Sequence, residues 1–176
     1  MSSRASTLEE TIEFAFDMIE QVGEIPAMGV IHRHATDPGE LVILDFGNDE
    51  KERSSILAFA AVASHVNAKF VDSFSDCWVA DHSLDTDLDA VVPPSKDPNR
   101  MSGVTVIRVF PDRIESALAP YEILDGRVIR LPGSEVDPDA ELGRMWLVEV
   151  LQAGLTTSVN PIVGKAAMRY LEVSDG

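Results

Sequence analysis

Met101-Ser-Gly-Val-Thr-Val-Ile-Arg-Val109 is the stretch on which the fold reading turns. Five of its nine residues are β-branched, which suits a pleated, half-buried surface better than a helix. It predicts a strand over 102–110. Two further strands are predicted downstream, over 113–123 and 127–131. They meet at Asp125-Gly126, a dipeptide that supplies the positive φ angles of a tight hairpin. Upstream, residues 69–80 carry Phe70, Val71, Phe74 and Trp78 and predict a partner strand. Residues 27–34 and 41–46 predict two more, joined by a turn through Asp37-Pro38-Gly39.

Helices bracket these strands. Leu8, Ile12, Ala15, Ile19 and Val22 recur at helical spacing, so 7–22 predicts an amphipathic helix. Ser6 or Thr7 can cap its start and Gly23 its end. Glu9, Glu10, Glu13, Asp17 and Glu20 gather opposite the apolar stripe, as a solvated face would. Asn48 can cap a second helix over 50–67, with the stripe Ile56, Phe59, Ala60, Ala63 and Val66. Asp137-Pro138 is expected to open a third, to about 153, and Asn160-Pro161 a fourth, to about 172. The order is α-β-β-α-β-β-β-β-α-α. Short connections favour antiparallel neighbours, with one crossover over 41–80 able to add a parallel pair. The expectation is a single α+β domain over 1–176, a mostly antiparallel five- or six-stranded sheet with helices packed on it. Residues 1–6 are expected to be flexible and 81–101 to form a long loop.

Charge narrows the function classes. The 176 residues hold 30 acids and 14 bases, a net charge of −16. Residues 1–99 alone hold 19 acids and 6 bases. Direct nucleic-acid binding and docking on anionic membranes both need clustered Lys and Arg, so neither is expected. The N-terminus lacks the apolar segment of a signal peptide, no run approaches a membrane span, and Cys77 is the single cysteine. The expected location is cytoplasmic.

His32-Arg33-His34 is the sharpest candidate for chemistry. Two histidines at i and i+2 of a strand share a face, and a third ligand would complete a metal site. A turn centred on Pro38 sets His32 opposite Ile43 and Val30 opposite Asp45, which makes Asp45 that candidate. Gly29, His32, His34 and Asp45 also resemble the spacing of the JAMM metalloproteases. Val42 stands where that family has Ser, and no upstream strand offers its catalytic Glu. The resemblance implies a metal-dependent hydrolase using His32, His34 and Asp45. Against it, these are polar residues on a half-exposed strand.

Other constellations read blandly. Asp85-Thr86-Asp87-Leu88-Asp89 starts like an EF-hand loop, but Ala90 and Lys96 stand where the Gly and the bidentate Glu are needed. Cys77, with His65 or His82 as base, lies beside Trp78 and reads as a small buried hydrophobe. Arg108, Arg113, Arg127 and Arg130 could form an anion site, or pair with Asp112, Glu115, Glu122, Asp125 or the acidic N-terminal segment. Pairing is the expectation.

Residues 29–110 also resemble a loosely defined set of uncharacterised bacterial and phage-encoded proteins. The matching features are His32-Arg33, Gly39-Glu40, Asp49-Glu50-Lys51, Asn67-Ala68-Lys69, Trp78, Pro94 and Asp97-Pro98-Asn99-Arg100. Ser75-Asp76-Cys77-Trp78 replaces the commoner Ser-Glu-Ala-Trp. The resemblance implies an accessory role and no residue roles. Asp97–Arg100 reads as a turn into the 102–110 strand, and a shared ligand site would lie at Asp76, Trp78 and Arg100.

The leading expectation is a non-enzymatic binding or assembly protein without a cofactor, acting on a protein partner or on itself. Met145-Trp146-Leu147-Val148 and Ile162–Leu171 are apolar enough to build a homodimer interface. The alternatives are the divalent-metal hydrolase and an acidic DNA mimic that inhibits a nucleic-acid-binding enzyme.

Overall fold

The computed structural model describes residues 7–79, 96–137 and 146–174. The chain runs α1 (Leu8–Val22), β1 (Met28–His32), β2 (Glu40–Ile43), α2 (Asp49–His65), β3 (Phe70–Val79), β4 (Met101–Val109), β5 (Ile114–Leu124), β6 (Arg127–Arg130), β7 (Glu135–Asp137), α3 (Trp146–Thr156) and α4 (Pro161–Tyr170). This is the expected α+β order, with one addition. The short β7 pairs with β5 beyond the end of β6, through Ser116–Asp137 to Leu118–Glu135. Asp137 therefore ends a strand and does not open the third helix. Residues 138–145, the expected start of that helix, lie outside the described residues, as does the EF-hand-like stretch 85–89.

The sheet order is β2-β1-β3-β4-β5-β6, and every pair is antiparallel. The parallel pair that the crossover could add does not form. The crossover through α2 carries the chain over β1, so β2 and β3 lie parallel but on either side of it.

Strand alternation gives the sheet two buried faces. Ile31, Val42, Val71, Ile107 and Val109 face α2, α3 and α4, whose Ile56, Phe59, Leu151 and Met168 complete one core. A Cβ on Gly29 would run into the Phe59 ring, so glycine there lets α2 close down on β1. Met28, Phe74, Val104, Val106, Ala119 and Tyr121 face α1, which contributes Leu8, Ile12, Ala15, Phe16 and Ile19. Thr7 and Glu10 form a capping box at the start of α1, and Gly23 ends it in the left-handed conformation at φ 91°.

The first hairpin departs from the expected register. Met28 opposes Ile43 and Val30 opposes Leu41, so the turn centres between Ala35 and Thr36 and not on Pro38. Asp37 explains the shift. Its carboxylate accepts the Gly39 N–H at 2.7 Å, and its carbonyl faces the His32 ring, which folds 37–39 back beside β1. The register slips by an even number of residues, so the faces are preserved while the partners change.

Candidate functional site

One helix cannot roof six strands. Strands spaced about 4.8 Å apart make a sheet more than twice as wide as a helix of about 10 Å. α1 lies over β4, β5 and β6, and β1 and β2 emerge from beneath it. The result is a cleft of about 260 Å³ between α1 and the first hairpin, lined by Glu10, Phe14, Val30, His32, Leu41 and Phe74 among others.

A charged cluster forms its floor. His32, Asp72 and Arg108 are all buried on the α1 face. Asp72 sits directly opposite Arg108 on β4 and diagonally from His32 on β1. Arg108 Nε donates to Asp72 Oδ1 at 2.6 Å, and its second nitrogen donates to Oδ2 at 2.8 Å. His32 Nε2 meets the same Oδ2 at 3.1 Å, and Nδ1 meets the Asp37 carbonyl at 3.1 Å. Both ring nitrogens are therefore engaged within the fold. Phe70 stacks on His32 with centroids 4.1 Å apart, and the Arg108 guanidinium lies over the Phe70 ring, 4.9 Å from its centre. Burial works to raise the Asp72 pKa, but the hydrogen bonds from Arg108 and His32 outweigh it and hold the carboxyl below its ordinary value.

This arrangement consumes its own reactive groups. A general base needs a nitrogen facing the substrate, and both nitrogens of His32 are engaged. The carboxylate of Asp72 is shared among three donors.

The expected metal trio is not assembled. His32 is 1% exposed, while His34 lies past the end of β1 on the surface. Asp45 lies past the end of β2, beyond Met28 as seen from His32, and four strand residues alone span about 13 Å. Its carboxylate accepts the Gly47 N–H at 2.9 Å and pairs with Lys51 at 3.1 Å. Among the described residues, no three His, Cys, Asp or Glu side chains converge as metal ligands.

Asp76, Trp78 and Arg100 do come together. Asp76 and Trp78 line a small cleft of about 170 Å³ with Cys77, and Arg100 lies over the Trp78 ring, 4.2 Å from its centre. Asp97 forms the expected turn, its carboxylate accepting the Asn99 N–H at 2.8 Å. Tyr121 donates its hydroxyl proton to Asp76 at 3.1 Å. Burial raises the Asp76 pKa against that bond, and burial and Asp76 together push Tyr121 up to about 12. Burial and Asp76 push the Cys77 thiol up to about 11, so it is a protonated, poor nucleophile at neutral pH. His82 and Asp81 lie outside the described residues.

Three of the four arginines pair, as expected, whereas Arg127 makes no ion pair among the described residues; Arg108 takes Asp72, a partner the sequence did not single out. Arg113 pairs with Asp112 and Glu115. Arg130 pairs with Glu9 and Glu13, so part of the acidic helix face is used within the fold. Other acids lie on both helical layers, with Asp17 on α1 and Asp49, Glu50 and Glu52 in the first turn of α2. In the C-terminal helices Val148, Leu151, Ala167 and Met168 cover their own sheet, while Trp146, Ile162, Val163 and Tyr170 remain exposed.

The feature the sequence reading missed is the edge of the sheet. Leu44 donates its N–H to the Ala27 carbonyl at 2.9 Å. Backbone direction alternates along a strand, so Val42 and Glu40 also face β1, and the N–H and C=O of Leu41 and Ile43 point outward. These two residues also carry exposed apolar side chains, at 44% and 54% exposure, with Phe14 of α1 at 44% on the same side. Alternation within Glu40–Ile43 was the available signal, but only the register assigns the outward amides.

No family model, curated protein or solved structure matches this chain. No helix among the described residues is long and apolar enough to cross a membrane.

Proposed function

We propose that this is a non-catalytic binding protein that engages a protein partner through the cleft between α1 and the first hairpin. One observation carries the reading. The cleft has an apolar rim of Phe14, Leu41 and Val30 over a floor whose charged groups are already satisfied by one another. Its volume, about 260 Å³, suits one or two side chains and falls short of the usual size of a cofactor pocket. Exposed aromatic and aliphatic side chains around such a cleft favour recognition of a polypeptide.

Photocrosslinking tests this reading. A benzoylphenylalanine replacing Phe14 is compared with one replacing Tyr170, which is also exposed but on the opposite layer. The expected result is a discrete adduct from position 14 that disappears when Leu41 and Ile43 are changed to Lys. Identical adducts from both positions, or none from position 14, would overturn it.

A further inference from the structure

The two edges of the sheet are finished differently. On β6, Leu131 donates to the Pro120 carbonyl at 2.9 Å, so by alternation the amides of Val128 and Arg130 face outward. α1 attends to that edge. Glu20 accepts the Val128 N–H at 2.8 Å, and Arg130 is pinned by Glu9 and Glu13. β7 covers the next stretch of β5. Proteins commonly block such edges because an open one templates pairing with another chain. Among the described residues, β2 has no comparable device at Leu41 and Ile43. Its charged residues, Glu40 and the flanking Asp45, are turned to Arg33 and Lys51.

We infer that the β2 edge takes up an extended segment of a basic partner protein as an added strand. This rests on the binding reading above and specifies its mode. Leu41 and Ile43 each offer one N–H and one C=O, and their side chains form the apolar strip against which alternate residues of the segment pack. Glu10, Phe14 and Asp17 recur at i, i+4 and i+7 along α1, which places acids on either side of the aromatic ring. Among the described residues no Lys or Arg side chain lines the cleft itself, and the guanidinium of Arg108, which reaches Asp72 from outside the lining, is neutralised by that carboxylate. The net charge of −16 favours a cationic segment and sets a second copy of this chain against its own charge.

The test is residue-resolved amide exchange on the whole protein by NMR, with two capped heptapeptides as probes. One alternates Lys and Val, the other Glu and Val. The Lys-Val peptide is expected to slow exchange at Leu41 and Ile43 at least tenfold and leave Val42, which is already bonded, unchanged. The Glu-Val peptide is expected to do neither. Ile43→Pro removes one outward N–H without touching a bond to β1, and is expected to abolish the protection. Binding of the Lys-Val peptide without protection at Leu41 and Ile43 would overturn strand addition. So would equal protection by both peptides. Protection without peptide, in a particle of twice the chain mass, would assign the edge to a second copy and overturn the basic partner. A position-14 crosslink that forms while these amides stay unprotected in the same complex leaves the cleft reading intact and removes only the strand.

Discussion

Glu20, on the last turn of α1, accepts the backbone N–H of Val128 on β6, 108 residues away, at 2.8 Å. This contact ties the N-terminal helix to the far edge of the sheet and satisfies an amide that would otherwise template pairing. The opposite edge, at Leu41 and Ile43, has its backbone directed outward with no such cover among the described residues.

Removing that cap exposes the Val128 amide. Glu20→Ala is expected to speed Val128 exchange at least tenfold and to promote concentration-dependent association, whereas Glu20→Gln, which keeps an acceptor, does neither. Exchange rates and light scattering across a concentration series report both effects.

The buried cluster is a stability element. Asp72→Ala leaves the Arg108 guanidinium buried without its counter-charge, and breaking a buried pair in this way costs about 3–5 kcal/mol. Urea denaturation of the two proteins measures it. Arg108→Met, which strands the carboxylate instead, is expected to be comparably destabilising.

Asp72 also sets an acid limit. Its folded pKa lies below its ordinary value of 3.8, so its contribution to stability is fully present above that value. The contribution is lost as pH falls through the lower, folded value. Stability measured from pH 5 downward is therefore expected to decline below about 3.8. Asp76 has the opposite sign. Burial raises its pKa, so its ionisation opposes folding as pH rises. Asp76→Asn keeps an acceptor for Tyr121 and is expected to raise the neutral-pH denaturation midpoint.

The helical layer is held by close approach. A Cβ on Gly154 of α3 would sit 2.5 Å from the Ala60 carbonyl oxygen of α2 and 2.9 Å from its Cα. Backbone atoms cannot rotate away. Gly154→Ala is expected to cost about 1–3 kcal/mol by overpacking, despite the better helix propensity of alanine. Thermal or urea unfolding checks the sign.

Much of the architecture was legible in the residues because local rules and tertiary packing agree. Thr7 and Glu10 specify the cap of α1, Asn48 and Asn160 those of α2 and α4, and Met101–Val109 has no helical reading. The hairpin register was not legible. It is set by Asp37 folding back on His32, a side-chain event with no periodic signature. The buried cluster left only a faint trace. Asp72 lies between Phe70 and Phe74 on one strand face, and Arg108 falls on the inward side of a β-branched strand. Opposite charges at two core-facing positions imply a buried pair, but only the strand order makes them neighbours. Asp76, Trp78 and Arg100 converge because a turn and a strand pairing bring 97–100 beside β3.

The central claim is that β2 presents an unoccupied, outward-directed edge. Residue-resolved hydrogen exchange on the free protein at micromolar concentration tests it most directly. The account predicts fast exchange at Leu41 and Ile43, and slow exchange at Val42, Leu44 and Val128. Protection of Leu41 and Ile43 comparable to that of Val42 in the monomer would contradict it.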